Sequence, residues 1–119
     1  ELAFAGAYIP VYIIRKNEIF TLKPVLNPIG IYPFEKPFKN EFLKLEEGDL
    51  IYITTDGYKD QLNDESNQYS TKRFKDLLLE ISNKNMINQK QSLIEDITLW
   101  KQSKNQTDDI LVLSFRYTL

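Results

Sequence analysis

Gly48-Asp49-Leu50-Ile51-Tyr52-Ile53-Thr54-Thr55-Asp56-Gly57-Tyr58 is the stretch around which this chain is organised. Leu50 to Thr54 are all aliphatic, aromatic or β-branched, the composition of a strand rather than a helix. Glu47-Gly48-Asp49 in front of them and Asp56-Gly57 behind them are turn signals. A buried strand therefore ends by presenting one carboxylate on a residue followed at once by glycine. Taken alone, Asp56-Gly57 reads as a plain turn. A carboxylate at the open end of a core strand is also where rigid support can hold a metal or a catalytic group.

A second stretch strengthens that reading. Gln106-Thr107-Asp108-Asp109 leads into Ile110-Leu111-Val112-Leu113-Ser114-Phe115, another apolar run of strand type. Here the acids precede the strand, whereas Asp56 follows its strand. Antiparallel pairing would lay the end of one beside the start of the other and bring Asp56 and Asp108 to one sheet edge. Two carboxylates so placed raise each other's pKa unless a cation sits between them. Oxygen-only ligands favour magnesium or manganese over zinc. Asp109 is adjacent, but its side chain points to the opposite face once the strand has begun, so it stays outside the expected ligand pair.

Composition narrows the chemistry further. The 119 residues are 42% apolar and 27% charged, with net charge −2, an ordinary globular balance for one domain. No basic block suggests a nucleic-acid surface, and no apolar run reaches membrane length. The absence of cysteine removes disulfides and thiol nucleophiles and fits a cytoplasmic chain. The absence of histidine excludes a Ser-His-Asp triad and an imidazole base, leaving carboxylates, lysines, hydroxyls or a metal.

Along the chain, Leu2-Ala3-Phe4-Ala5 reads as a short strand running into Gly6-Ala7. Val11-Tyr12-Ile13-Ile14 and Ile19-Phe20-Thr21-Leu22 read as a β-hairpin whose tip, Arg15-Lys16-Asn17-Glu18, is a solvated turn. Pro24 to Pro37 is too proline-rich for a helix or central strand and reads as a loop packed on the sheet, with Gly30 suited to unusual dihedrals. Phe38, Phe42, Leu43 and Leu45 belong to a further strand. Residues 60–69 form a polar loop. Asp60, Asp64 and Glu65 in it lack the alternating ligands, central glycine and closing glutamate of a calcium-binding EF-hand. Ser70 caps an amphipathic helix carrying Phe74, Leu77, Leu78 and Ile81, ending near Ser82-Asn83. A second helix is expected from about Asn88 to Gln102, with Leu93, Ile94, Ile97 and Trp100 inward. The expected fold class is α+β, an antiparallel β-sheet with two helices packed on one face.

These residues also resemble a family. Gly48-Asp49-Leu50-Ile51-Tyr52, Thr55-Asp56-Gly57-Tyr58 and Thr107-Asp108-Asp109-Ile110-Leu111-Val112-Leu113 are similar to the closing motifs of the metal-dependent PP2C-type (PPM) serine/threonine phosphatases. The bacterial branch of the sporulation phosphatase SpoIIE and the stress regulator RsbU fits best. Leu2-Ala3-Phe4-Ala5-Gly6-Ala7 and Pro28-Ile29-Gly30-Ile31-Tyr32 are similar to that branch in the same order. A Thr-Asp-Gly alone is a weak signal, but the joint spacing, first residue to last, is strong.

The resemblance implies a PP2C-like αββα sandwich and a two-metal site for Mn2+ or Mg2+ in the complete domain. It implies metal-dependent dephosphorylation of phosphoserine or phosphothreonine in a bacterial signalling protein, of the anti-sigma/anti-anti-sigma type of switch. Asp56 and Asp108 take the catalytic, metal-holding positions, and no organic cofactor is implied. The family's earlier Asp-Gly segment, whose aspartate bridges two metals, has no match here, since Asp49 is the first aspartate. Nor is its Gly-rich helix start matched. Leu111 stands where the family often has Thr or Ser, a position that tunes packing or the residues behind the metal ligands. Residues 1–119 are thus expected to be a single unit, the C-terminal portion of a phosphatase domain with the N-terminal half absent. That portion is expected to be inactive alone, with its metal site empty. The expected partners are a phosphoprotein substrate resembling an anti-sigma antagonist and, through an exposed sheet edge, a second copy as homodimer. No nucleic acid or membrane contact is expected. The alternative is a catalytically silent PP2C-like interaction module that binds a signalling partner.

Overall fold

The computed structural model describes residues 2–4, 9–22 and 41–119. In chain order the elements are β1 (Leu2–Phe4), β2 (Val11–Arg15), β3 (Glu18–Leu22), β4 (Glu41–Leu43) and β5 (Leu50–Thr54), then α1 (Gly57–Asp60), α2 (Thr71–Ile81), α3 (Met86–Lys101) and β6 (Val112–Arg116). One antiparallel sheet has the order β3-β2-β5-β6, and β1 pairs with β4 in a separate two-stranded sheet. The α+β class is as the sequence predicts. The strand holding Phe42 and Leu43 joins β1, however, while Leu45 lies beyond it and packs under the main sheet. The Pro24–Pro37 segment, Gly30, Phe38 and the Ala5-Gly6-Ala7 step lie outside the described residues.

The β2–β3 hairpin turns on Lys16 and Asn17, whose φ values of 50° and 65° give a two-residue turn that matches strand twist. Arg15 is not part of a solvated tip. It is the last residue of β2, and its guanidinium forks onto Asp49, with Nη2 to Oδ2 at 2.7 Å and Nε to Oδ1 at 2.9 Å. Asp49 is fully buried and also accepts the Glu46 amide at 2.8 Å. The Arg15 hydrogen bond outweighs burial and holds the Asp49 carboxyl below its ordinary range. Carboxylate and guanidinium are separated along the chain by the whole β3–β4 passage, so no local pattern announces the pair.

Strand alternation divides the main sheet into two faces. Tyr12, Ile14, Leu50 and Tyr52 meet Phe74, Leu77, Leu78 and Ile81 of α2 and Ile97 of α3. Both long helices therefore lie on one face, as expected. On the other, Val11, Ile13 and Ile51 are buried beside Leu22, Leu45, Ile53 and Tyr117. Ser70 caps α2, accepting from the Arg73 amide at 3.3 Å. α3 begins two residues earlier than the expected Asn88, because Asn85 caps it and accepts the Asn88 amide at 2.8 Å. Its inward face is Gln89, Leu93, Ile97 and Trp100, while Ile94 is 49% exposed. Gln89 is buried because the Tyr52 hydroxyl donates to its Oε1 and its own amide donates to Lys84 O at 2.8 Å. A polar residue with two such partners takes the place that a purely apolar stripe assigns to Ile94.

Because the folded pKa of Asp49 lies below its ordinary value of 3.8, its ion pair is fully present at neutral pH. It fades as pH falls below about 4. Asp49→Asn should cost about 1–3 kcal/mol at pH 7, since it removes the buried carboxylate of the fork and leaves the Arg15 guanidinium only the exposed Glu46 carboxylate, at 3.3 Å. The gap between wild-type and variant urea midpoints should narrow markedly at pH 3.

Candidate metal centre

β5 ends at Thr54, and of the next three residues Thr55 and Gly57 are engaged with the segment that enters β6. Thr55 donates its amide to Leu111 O at 3.0 Å. Its hydroxyl accepts the Leu111 amide at 3.1 Å and donates to Asp109 O at 3.3 Å. The side chain so continues the β5–β6 ladder one step past its last register pair, Thr54↔Val112. Asp56 comes next, at the start of α1, with helical backbone (φ −73°, ψ −13°) and no capping hydrogen bond from its side chain. Its carboxylate is therefore free of backbone duty and 47% exposed. Gly57 follows, and a Cβ built on it would lie 2.1 Å from Asp109 O and 3.1 Å from Ile110 Cγ1. Only glycine permits that backbone approach.

Thus the residues on both sides of Asp56 touch the residues directly after Asp108. The predicted convergence of the two aspartate-bearing segments at one end of the β5–β6 pair is present in the backbone. Asp108 is exposed, its Oδ1 accepting the Asp109 amide at 2.8 Å and its carbonyl accepting Gln106 Nε2 at 2.8 Å. Asp109 serves this region through its carbonyl oxygen, the atom met by Thr55 and approached by Gly57. The strand starts at Val112, later than the expected Ile110, because Leu111 is bonded to a side chain rather than to a ladder carbonyl.

The electrostatics are set by one lysine. Lys59 Nζ stands 3.6 Å from Asp56 Oδ1 and 3.0 Å from Asp60 Oδ1. Burial pulls its pKa down, but the Asp60 hydrogen bond and the Asp56 charge outweigh that and hold the ammonium above its ordinary value. Asp56 therefore already attracts a positive partner. The donor set fits a hard, well-hydrated divalent cation in kind, being exposed carboxylate oxygens without nitrogen or sulfur. Among the described residues no group of three or more acidic side chains is gathered as a complete cage. Asp64 stands apart, its Oδ1 accepting the Ser103 amide at 3.1 Å and hydroxyl at 2.9 Å.

The 60–69 segment is solvent-exposed from Asp64 to Gln68, as predicted, but its two flanks are not. Gln61 is completely buried and Tyr69 is 4% exposed. Tyr69 packs edge-on to Tyr58 and Trp100 and donates its hydroxyl to Asp96. Burial first, and the Asp96 carboxylate second, push the Tyr69 phenol well above its ordinary pKa. The polar composition of the segment hides these anchors.

The solved structures that this chain matches define its class, the PP2C phosphatase fold. The SiaA-PP2C domain of Pseudomonas aeruginosa matches 97% of this chain and 45% of its own length at 29% identity, with a TM-score of 0.86. The phosphatase domain of the cell fate determinant SpoIIE from Bacillus subtilis matches 98% of this chain and 51% of its own, at 18% identity and a TM-score of 0.58. A manganese-presoaked structure of that domain gives 16% identity and a TM-score of 0.63, with 98% and 56% covered. The chain spans about half the length of these structures. The family model described as stage II sporulation protein E (SpoIIE) matches residues 1–118, and the chain belongs to that family. No curated protein matches it. Among the described residues no helix is long and apolar enough to cross a membrane.

Gly57→Ala should cost about 1–3 kcal/mol, because the new methyl cannot share space with the Asp109 carbonyl. The damage should be local. Hydrogen exchange at the Thr55 and Leu111 amides should quicken well before exchange in α2 changes, and unaltered protection at both would show that the approach is not needed.

Proposed function

We propose that this chain is the metal-binding C-terminal part of a protein phosphatase acting on phosphoserine or phosphothreonine. The observation that carries this reading is the joining of Thr55 and Gly57 to Asp109 and Leu111, which brackets Asp56 and brings it to the end of the sheet where Asp108 enters. Asp56 and Asp108 are the carboxylates that would hold Mn2+ or Mg2+. When bound, a divalent cation supplies Lewis acidity toward a phosphoryl group and an activated water, chemistry suited to a chain with no histidine. The protein's part is to bring two carboxylates to one end of the sheet and to give Asp56 a positive neighbour in Lys59. Family membership and the likeness to phosphatase domains support the reaction class. A phosphoprotein of a bacterial signalling switch, resembling an anti-sigma antagonist, is the proposed substrate, and the cytoplasm the proposed location.

Asp56→Ala and Asp108→Ala, each made in the full-length protein, should abolish manganese-dependent hydrolysis of a phosphopeptide. Because both carboxylates are exposed, each variant should unfold in urea at close to the wild-type midpoint. Near wild-type turnover by either variant in manganese would overturn the assignment. The 119-residue chain by itself should show no turnover, and clear manganese-dependent hydrolysis by it would mean that its own residues complete the site.

Self-association belongs to the same proposal. Tyr117 and Leu111 bond to β5, so alternation turns the N–H and C=O groups of Val112, Ser114 and Arg116 toward the free side of β6. No strand pairs there among the described residues. A second copy related by a two-fold axis at Ser114 would satisfy these groups in register. Light scattering of the purified chain should give twice its 14.0 kDa mass. Replacing Ser114 by proline, which blocks edge pairing, should halve it. A single-chain mass at every concentration would overturn this part.

A further inference from the structure

We propose that Gln61 is the positioning residue for Asp108. This rests on the reading of Asp56 and Asp108 as metal-holding carboxylates. Gln61 directly follows α1, the short helix that Asp56 opens, and its own amide closes that helix on Tyr58 O at 3.3 Å. Its side chain is fully buried and uses both ends of its amide. Nε2 donates to Asn105 O at 3.0 Å and to Leu62 O at 2.9 Å, and Oε1 accepts the Thr107 amide at 3.3 Å. The residues it grips are those that lead into Asp108.

The rest of that lead-in is loosely held. Residues 105–109 are all exposed, and Gln106 bonds only locally, to Asp108 O. Among the described residues, the Gln61 amide makes the only hydrogen bonds that reach residues 105–108 from elsewhere in the chain. The Gln61 backbone is itself clamped. Its carbonyl accepts the Tyr69 amide and the indole N–H of Trp100, each at 2.9 Å. Trp100 lies in the last turn of α3, where the chain leaves for the loop. One buried residue thereby ties together the helix that starts at Asp56, the end of α3 and the approach to Asp108.

The chemistry demands an amide here. Glutamate would set a carboxylate against two carbonyl oxygens, and an apolar side chain would leave the Thr107 N–H and Asn105 C=O without their partner. Asparagine carries the right groups on a stem one methylene too short. Since Gln61 touches neither the cation nor a ligating carboxylate, replacing it should weaken metal binding through geometry alone, as groups behind metal ligands do, by about ten- to a hundredfold.

The test uses the full-length protein, with Mn2+ titrated by electron paramagnetic resonance and, separately, amide exchange. Gln61→Met, close in shape but apolar, should bind Mn2+ about ten- to a hundredfold more weakly than wild type. It should regain most phosphatase activity at high manganese, with phosphopeptide KM little changed. Asp108→Ala should not regain it. Exchange at Thr107 and Asp109 should quicken. Ile13→Val, a core change on the opposite sheet face, serves as a control for lost stability and should leave Mn2+ affinity unchanged. If Gln61→Met fails to fold, Gln61→Asn is read by the same criteria. Wild-type Mn2+ affinity in a folded Gln61 variant, or unchanged exchange at Thr107, overturns the proposal. Failure of the metal reading shows differently: Asp56→Ala and Asp108→Ala would then bind Mn2+ as wild type does, while Gln61→Met still loosens Thr107.

Discussion

The contact between Gly57 and the Asp109 carbonyl is the constraint on which this end of the molecule depends. Paired strands normally separate once their ladder ends, and residues just past it are free to drift. Here the ladder is prolonged by the Thr55 hydroxyl, which stands in for a backbone carbonyl and accepts the Leu111 amide. α1 begins on the next step, with its first residue pressed against the opposite chain. A β-branched hydroxyl and a glycine therefore flank Asp56, each doing what the other cannot. One supplies an acceptor, and the other supplies the absence of a side chain.

The far end of the same strand pair is fixed by different means. Gly48, with φ 87°, and Asp49 both address Tyr117, the Gly48 amide donating to its carbonyl and the Tyr117 amide donating to Asp49 O, each at 2.8 Å. Two residues facing one is a bulge, and it sets the register of β5 against β6. Arg15 then holds Asp49 from β2, and Arg116 reaches across to Gly48 O and Ser82 O. A slip of one residue would exchange Tyr52 for Ile51 beneath the helices and strand the Tyr52–Gln89 hydrogen bond. Fixing the register at Asp49 therefore also decides which residue of the pair ends beside Asp56.

What the sequence made legible is the part written in short-range pattern. β5 spans the residues its composition indicates, the hairpin turns where the polar residues fall, and α2 follows its periodicity from cap to end. The meeting of the two aspartate segments was also legible, because it needs only the order of acid and strand in each. The structure's long-range polar pairs were not. Arg15 with Asp49, Gln89 with Tyr52, and Gln61 with Thr107 each join residues far apart in the chain, and in local sequence every partner but Tyr52 looks like a surface residue. Ile94 is the converse case, an apolar residue of helical spacing displaced outward because Gln89 had a buried partner. Periodicity ranks residues by hydrophobicity, whereas burial also follows from whether a polar group can be satisfied.

The two faces of the main sheet obey different rules, and the helix-covered one is the more demanding. Beneath the candidate centre, contacts are directional. Tyr58 donates to Leu93 O at 2.7 Å, Trp100 to Gln61 O, and Tyr69 to Asp96, while Arg73 stacks 4.4 Å from the centre of the Trp100 ring. Each bond permits one orientation of α3 against α1 and the loop, since a small rotation would leave a buried donor or acceptor without its partner. Apart from the Arg15–Asp49 pair at one end, the opposite face is built from Val11, Ile13, Ile51 and their apolar neighbours, whose contacts depend on volume and tolerate small displacement. Toward β3 and β6 that face still exposes Phe20, Leu113 and Phe115. Aliphatic contact supplies much of the cohesion there without dictating angle. On the helix-covered face the buried polar side chains Gln61 and Gln89 are each held by directional partners, so that face fixes angle where the other supplies cohesion.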